Sequence, residues 1–308
     1  MGRKRRGDPV HGWLIVDKPA GITSSAVVGK VKRLFNAAKA GHGGTLDPMA
    51  TGILPIAFGE ATKTVSYVMD GLKCYRFTVR WGQSRTTDDA EGQVLETSPV
   101  RPDKEQIRAA LGDFIGHIEQ VPPVYSAIRV DGRRSYELAR NDQAVELASR
   151  IIHIEAFELL EIVDKDHATF QVTSGKGAYM RGLARDLALK LGTFGHISML
   201  RRLSVGPFDE SCAISLDKLQ TLGHSAPPVD SLLAVETVLD DIPALALTQP
   251  EARSLQMGQP IAVLPVANRS SLGRVNPDAV YRAMADGRLI ALTKIVGAEV
   301  RPIRVFNL

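Results

Sequence analysis

From Lys73 to Trp81 the chain alternates with a period of two. Tyr75, Phe77, Val79 and Trp81 fall on one side, and Cys74, Arg76, Thr78 and Arg80 on the other. That spacing makes a β-strand with one aromatic face. Residues 168–173 read as a second strand. Other stretches follow a helical period instead. Ser24 and Ser25 precede Val27, Val28, Val31, Leu34 and Phe35, which predicts a capped amphipathic helix. Met180, Leu183, Leu187 and Leu191 share one face of a helix over residues 179–191, with Gly192 as its stop. Pro102 opens a helix carrying Ile107, Ala110, Leu111 and Phe114. Strands and helices mixed without a regular βαβ rhythm indicate an α+β fold.

Val121-Pro122-Pro123-Val124 cannot be helical, because proline lacks the backbone donor and restricts the residue before it. Beyond it, residues 135–140 form a short helix inside a long excursion. The texture changes at Ala226-Pro227-Pro228, which places a linker near residue 240. The tail then reads as a helix over 250–257 followed by strands at 261–266, 289–296 and 303–306, a small β-rich domain.

Composition narrows the class. The chain is 44% hydrophobic and 23% charged, as a soluble globular protein is. Its longest apolar runs, such as residues 53–58, are too short to span a bilayer. No apolar stretch follows Arg3, Lys4, Arg5 and Arg6, so the start does not read as a secretory signal. Cys74 and Cys212 give neither a disulfide framework nor zinc spacing. The expected location is the cytoplasm, with no membrane partner. Net charge is +4, and the four basic residues of the first seven account for all of it. An anionic partner would therefore need charge placed unevenly in the body. Lys176, Arg181, Arg185, Lys190, Arg201 and Arg202 face only Asp186 across residues 176–202. That run is either a nucleic-acid face or a solvated helix face.

The stretch Gly41-His42-Gly43-Gly44-Thr45-Leu46-Asp47-Pro48-Met49-Ala50-Thr51-Gly52 is the most informative. Its glycines allow positive φ or close approach to a ligand. Pro48 biases Asp47 toward an extended conformation, so the carboxylate stands on a stiff loop. Taken alone, the segment is either a tight turn capped by its own aspartate or part of a site.

This stretch, extended through Gly52-Ile53-Leu54-Pro55, is very similar to the signature of the TruB-type tRNA pseudouridine-55 synthases. Further segments resemble the same family in the same order: His11-Gly12-Trp13-Leu14-Ile15-Val16-Asp17-Lys18-Pro19-Ala20-Gly21, Gly59-Glu60-Ala61-Thr62-Lys63, Lys73-Cys74-Tyr75, Gln120-Val121-Pro122-Pro123-Val124-Tyr125-Ser126-Ala127, Tyr136-Glu137-Leu138-Ala139-Arg140, Ser174-Gly175-Lys176-Gly177-Ala178-Tyr179-Met180-Arg181 and Leu200-Arg201-Arg202-Leu203. The likeness runs from about residue 11 to 208. It implies a pseudouridine-synthase-type mixed or antiparallel sheet with flanking helices over residues 9–240, and an RNA-gripping insertion at about 120–152. It also implies a PUA-like RNA-binding domain over 241–308. Residues 1–8, with Arg3 to Arg6, read as a basic tail that is either disordered or touches RNA.

The resemblance implies isomerisation of uridine-55 in the T-loop of tRNA, with no cofactor, no metal and no guide RNA, by a monomer. Asp47 becomes the catalytic carboxylate and Arg181 its partner, since a guanidinium nearby favours the ionised form. Tyr75 becomes the group that stacks on the target base and a candidate general base. Without the likeness it reads equally as a core tyrosine. His42 becomes the residue that enters the RNA where the target base leaves its stack. Lys18, Tyr179 and Leu200 join the base-binding set, although a lysine in a turn is commonly only solvated. Lys176, Arg201, Arg202, Arg129 and Arg140 become RNA contacts. Asp89 resembles an acidic position with a structural or RNA-orienting part. Arg85 stands where the family commonly has threonine. Two rivals remain: the guide-RNA-dependent branch of the superfamily, and an RNA-folding chaperone whose catalysis is incidental.

Overall fold

Trp13, Leu14, Ile15 and Val16 are all buried in β1 (Gly12–Lys18), although successive side chains of a strand point to opposite faces. The strand therefore lies between two cores. Leu14 and Val16 join the larger one, Trp13 and Ile15 the smaller. After β2 (Ala40–His42), β3 (Thr51–Phe58) repeats the pattern, with Leu54, Ile56 and Phe58 on one side and Ile53 and Ala57 on the other. Burial on both faces explains why residues 53–58 are continuously apolar. β4 (Lys73–Trp81) has one buried face, as its alternation predicts: Phe77, Val79 and Trp81 are in the larger core.

The computed structural model describes residues 7–126, 128–130, 132–141, 146–223, 227–270, 276 and 278–308. Arg3 to Arg6 lie outside them. After β4 come a small hairpin, β5 (Gln83–Arg85) with β6 (Val94–Thr97), then β7 (Gly116–Gln120). A second small hairpin, β8 (Arg129–Val130) with β9 (Arg133–Arg134), lies in the excursion and leads to β10 (Arg150–Asp164), β11 (His167–Ser174), β12 (Gly195–Val205) and β13 (Ile214–Ser215). The main sheet has nine strands in the order β13-β1-β3-β12-β4-β11-β10-β7, with β2 paired to β3. The β1–β13 and β3–β12 pairs are parallel and the rest antiparallel, the mixed sheet the resemblance implies.

Helices α1 (Ser24–Leu34), α3 (Lys104–Leu111) and α5 (Met180–Lys190) bury Val27 and Val31, Ile107 and Leu111, and Leu183 and Leu187 in the larger core. The short α2 (Val65–Asp70) precedes β4, α4 (Ser135–Arg140) lies in the excursion, and α6 (Leu216–Leu222) follows β13. Thr23 caps α1, not Ser24, which is turned inward. Asp103 caps α3 through a capping box, one residue beyond Pro102.

The tail forms a five-stranded sheet from β14 (Ala244–Ala246), β15 (Ile261–Ala262), β16 (Val280–Ala285), β17 (Arg288–Val296) and β18 (Glu299–Val305), with helices α7 (Gln249–Gln256) and α8 (Val263–Arg269). Residues 261–266 are not one strand. The strand ends at Ala262 and α8 begins, because Pro265 falls in a first helical turn, where its missing N–H has no partner to lose. Leu289, Leu292 and Phe306 pack with Trp13, Ile15, Ile53 and Phe208 in the smaller core. Lys63 Nζ donates to Val305 O at 2.7 Å and Asn307 N to Glu60 Oε2 at 2.9 Å. The tail is thus docked on the back of β1 and β3. Among the described residues no helix is long and apolar enough to cross a membrane.

Candidate active site

Asp47 lies on the loop between β2 and β3, and the chain on both sides of it is clamped. Ser24 Oγ donates to Leu46 O at 2.9 Å and accepts from Leu46 N at 2.8 Å. Pro48 O accepts from Lys18 Nζ at 3.0 Å and from Gly21 N at 2.8 Å. Arg202 holds the loop's flanks, donating from Nε to Ile53 O at 2.7 Å and from Nη2 to Gly44 O at 3.1 Å. At Gly52 the backbone has φ +100°, and a β-carbon would lie 2.1 Å from Arg202 O. Only glycine lets β3 and β12 meet there.

Arg181 sits in the first turn of α5 and reaches Asp47 with two bonds. Nε lies 2.8 Å from Oδ2 and Nη2 3.2 Å from Oδ1. Its remaining donors go to Thr87 O at 2.8 Å and Tyr125 O at 2.9 Å, and Asp89 Oδ2 lies 3.6 Å from Nε. The arginine is buried, whereas the Asp47 side chain is 31% exposed. Burial works against the guanidinium charge, but Asp47, then Asp89 and Asp88, hold its pKa above the ordinary arginine value. Asp89 accepts from Glu91 N at 3.0 Å and from Thr87 Oγ1, and so orders its own loop. The result is a fixed carboxylate with a cation behind it and solvent in front.

The sheet register places the other expected residues. Gly52, Arg202, Tyr75 and Val172 lie in one row across β3, β12, β4 and β11. Tyr75 is half-buried against the larger core, which fits a ring packed on one side and open on the other. Leu200, opposite Phe77, is in that core on the same face. His42 ends β2, and burial followed by the Arg202 charge lowers its pKa, so its imidazole is uncharged at neutral pH. Its Nδ1 is buried and has no hydrogen-bond partner among the described residues. Tyr179 is the N-cap of α5, with Arg150 stacked on its ring.

Several basic residues are placed otherwise than expected. Lys18, expected in the base-binding set, is fully buried and donates to Pro19 O, Ile22 O and Pro48 O, so its amine holds the loop and is spent on backbone. Arg202 is 1% exposed and its guanidinium is held by Ile53 O and Gly44 O, so it offers no open side to a phosphate. Arg201 is held by Asp17 at 2.9 and 3.0 Å and by Glu210 at 2.6 Å. Lys176 and Arg129 are exposed. Arg140 closes α4, and its side chain lies outside the described residues. Sequence reasoning missed Ser24 and Gln120. Both are polar residues buried by partners far along the chain, and the only local signal, a serine at a helix start, pointed to a cap. Two surface hollows, beside Val31 and Leu219 and beside His11 and Leu233, are lined by none of Asp47, His42, Tyr75 and Arg181.

Residues 32–180 match the family model for the TruB family pseudouridylate synthase N-terminal domain, and residues 181–240 that for the tRNA pseudouridylate synthase B C-terminal domain. A tRNA pseudouridine synthase B of Rhodospirillum rubrum is 58% identical over 100% of both chains. One from Caulobacter vibrioides is 49% identical, again over 100% of each. Among solved structures, a chain of a Cbf5-Nop10-Gar1 complex matches with TM-score 0.73 and 25% identity, covering 100% of this chain and 91% of that one.

Proposed function

This chain belongs to the TruB family of pseudouridylate synthases, and from that premise we propose that it converts uridine-55 in the T-loop of tRNA to pseudouridine. The observation that carries the reading is the Asp47 carboxylate, open on one face and paired on the other with buried Arg181.

The reaction breaks the N1–C1′ bond, turns the uracil and forms C5–C1′. The proton on C5 is lost and N1 gains one, so the product is an isomer. Nothing is oxidised and no group leaves the nucleotide. The base is inaccessible inside a folded T-arm, so it must be everted first. His42, uncharged and at the head of the aspartate loop, is suited to fill the gap by stacking. The ribose then lies at Asp47, whose charge Arg181 keeps in place during cleavage. Tyr75 stacks on the detached uracil and takes the C5 proton. Lys176 and Arg129 meet phosphates, and the tail domain meets another part of the tRNA by shape and phosphate contact. The chain works in the cytoplasm as a monomer, without guide RNA.

The experiment is to incubate the purified protein with an unmodified tRNA transcript and map pseudouridine. Modification at position 55 supports the reading, and its absence overturns it. A guide-dependent role is the second reading, because a chain of the Cbf5-Nop10-Gar1 complex shares this fold. The tRNA enzymes are far more similar in sequence, at 58% against 25%. Activity of the lone protein on bare transcript decides between the two.

A further inference from the structure

Gln120 is the last residue of β7, the edge strand from which the 121–149 excursion departs. A glutamine at such a place is ordinarily solvated, yet this one is 1% exposed. Its amide makes two bonds to a single residue. Nε2 donates to Tyr179 O at 3.0 Å, and Oε1 accepts from Tyr179 N at 2.9 Å. Tyr179 is the N-cap of α5 and its own side chain caps nothing, so the entry of this helix is set from outside. Arg181 follows two residues later.

The amide has no room to shift. Gly182 faces it, and a β-carbon there would lie 3.2 Å from both Cδ and Nε2 of Gln120. Arg150, the first residue of β10 and so the first of the sheet after the excursion, closes the other side of Tyr179. Its guanidinium carbon stands 4.9 Å from the ring centroid, and Nη2 donates to Gly177 O. The stem of the excursion is bonded to the same helix, since Arg181 donates to Tyr125 O and Arg185 Nη2 to Val121 O at 2.8 Å.

We propose that Gln120 is a positioning residue for the Asp47–Arg181 pair, acting through Tyr179 and the first turn of α5, with Arg150 as its counterpart on the Tyr179 ring. Both ends of the excursion then converge on the residue that aims Arg181. An RNA-holding segment and the carboxylate's partner share one anchor. The inference rests on the reading of Asp47 as the catalytic carboxylate.

The test is Gln120→Met, similar in length but without the amide, assayed beside the native protein on unmodified tRNA transcript. The single-turnover rate at saturating tRNA falls about 10- to 100-fold, the scale on which a displacement near 1 Å acts, while Kd for tRNA stays within about threefold. Gly182→Ala, which presses on Gln120 and leaves its chemistry intact, gives the same split between rate and affinity. In an Arg181→Lys background Gln120→Met lowers the residual rate by less than about threefold, because the two residues act through one step. The inference is overturned if Gln120→Met and Gly182→Ala both turn over within threefold of native, or if the losses multiply in full in the double variant. Should Gln120→Met fail to fold by circular dichroism, Gly182→Ala and its double with Arg181→Lys decide alone. A native protein that leaves the transcript unmodified speaks against the isomerase reading instead.

Discussion

Arg181 stands between two carboxylates, bonded to Asp47 at 2.8 and 3.2 Å and 3.6 Å from Asp89. Their surroundings differ, with the Asp47 side chain 31% exposed and that of Asp89 only 5%. This ranks two variants. Asp47→Asn ends turnover but leaves Arg181 with Asp89, Thr87 O and Tyr125 O, so the fold and tRNA binding persist. Arg181→Met strands Asp89 in the interior, and breaking a buried pair from one side costs about 3–5 kcal/mol. Urea denaturation should place Arg181→Met at least about 2 kcal/mol below Asp47→Asn, with both inactive. Equal losses would sink this account of the pair.

Gly52 gives a purely steric prediction. In Gly52→Ala the new methyl falls 2.1 Å from Arg202 O and 2.9 Å from Arg202 N, at the point where β3 and β12 run parallel. The strands must part, and the loop that ends there moves with them. Thermal denaturation is expected to show a loss above about 3 kcal/mol, beyond the range for conformational strain alone. Gly21→Ala is the control. Its φ is +80° but nothing lies within 4 Å of the added carbon, so the cost is about 1 kcal/mol.

What could be read without coordinates was whatever is local. The alternation of Tyr75 to Trp81 survives as β4, and the period of residues 179–191 survives as α5. β10 escaped because bulges near Ala156, Glu161 and Asp164 break its alternation. Asp47 was legible from its loop, but Arg181 lies 134 residues further on, and only resemblance joined them. The burial of Lys18 and Arg202 depends on strand order, which no window of sequence contains. Read linearly, Lys18 is a base contact or a solvated turn lysine, and Arg202 is a phosphate contact.

Lys176 and Arg201 separate a phosphate contact from a structural one. The Lys176 side chain is 63% exposed and paired with Asp70, itself 57% exposed. Such a pair is weak and readily exchanged for phosphate. Arg201 is already committed to Asp17 and Glu210. In filter binding with tRNA, Lys176→Gln should reduce the slope of log K against log salt by about 0.7–0.9, one released counterion. Arg201→Gln should leave that slope within about 0.3 of native. Equal slope changes would return Arg201 to the RNA-binding set.

Lys18 gives the pH dependence. Its amine is enclosed by Pro19 O, Ile22 O and Pro48 O at 2.8–3.0 Å, and burial lowers its pKa from 10.5 to about 8, against the pull of Asp47 and Glu91. The folded value lies below the unfolded one. Between about pH 8 and 10.5 the unfolded chain therefore keeps a proton that the folded chain has released, and this residue's contribution to stability rises with pH across that window. Below pH 8 the contribution is flat. Lys73, also lowered to about 8 by burial, behaves alike, so the comparison must be native against Lys18→Met, which cancels it. The native-minus-variant unfolding free energy should grow by on the order of 3 kcal/mol over the window. Turnover should run the other way. A neutral amine has two N–H groups for three carbonyls, so the hold on Pro48 slackens and the native rate falls above pH 8. Lys18→Met has no such limb. A native-minus-variant stability that stays level from pH 8 to 10.5 would mean that no charge is buried beneath the aspartate loop.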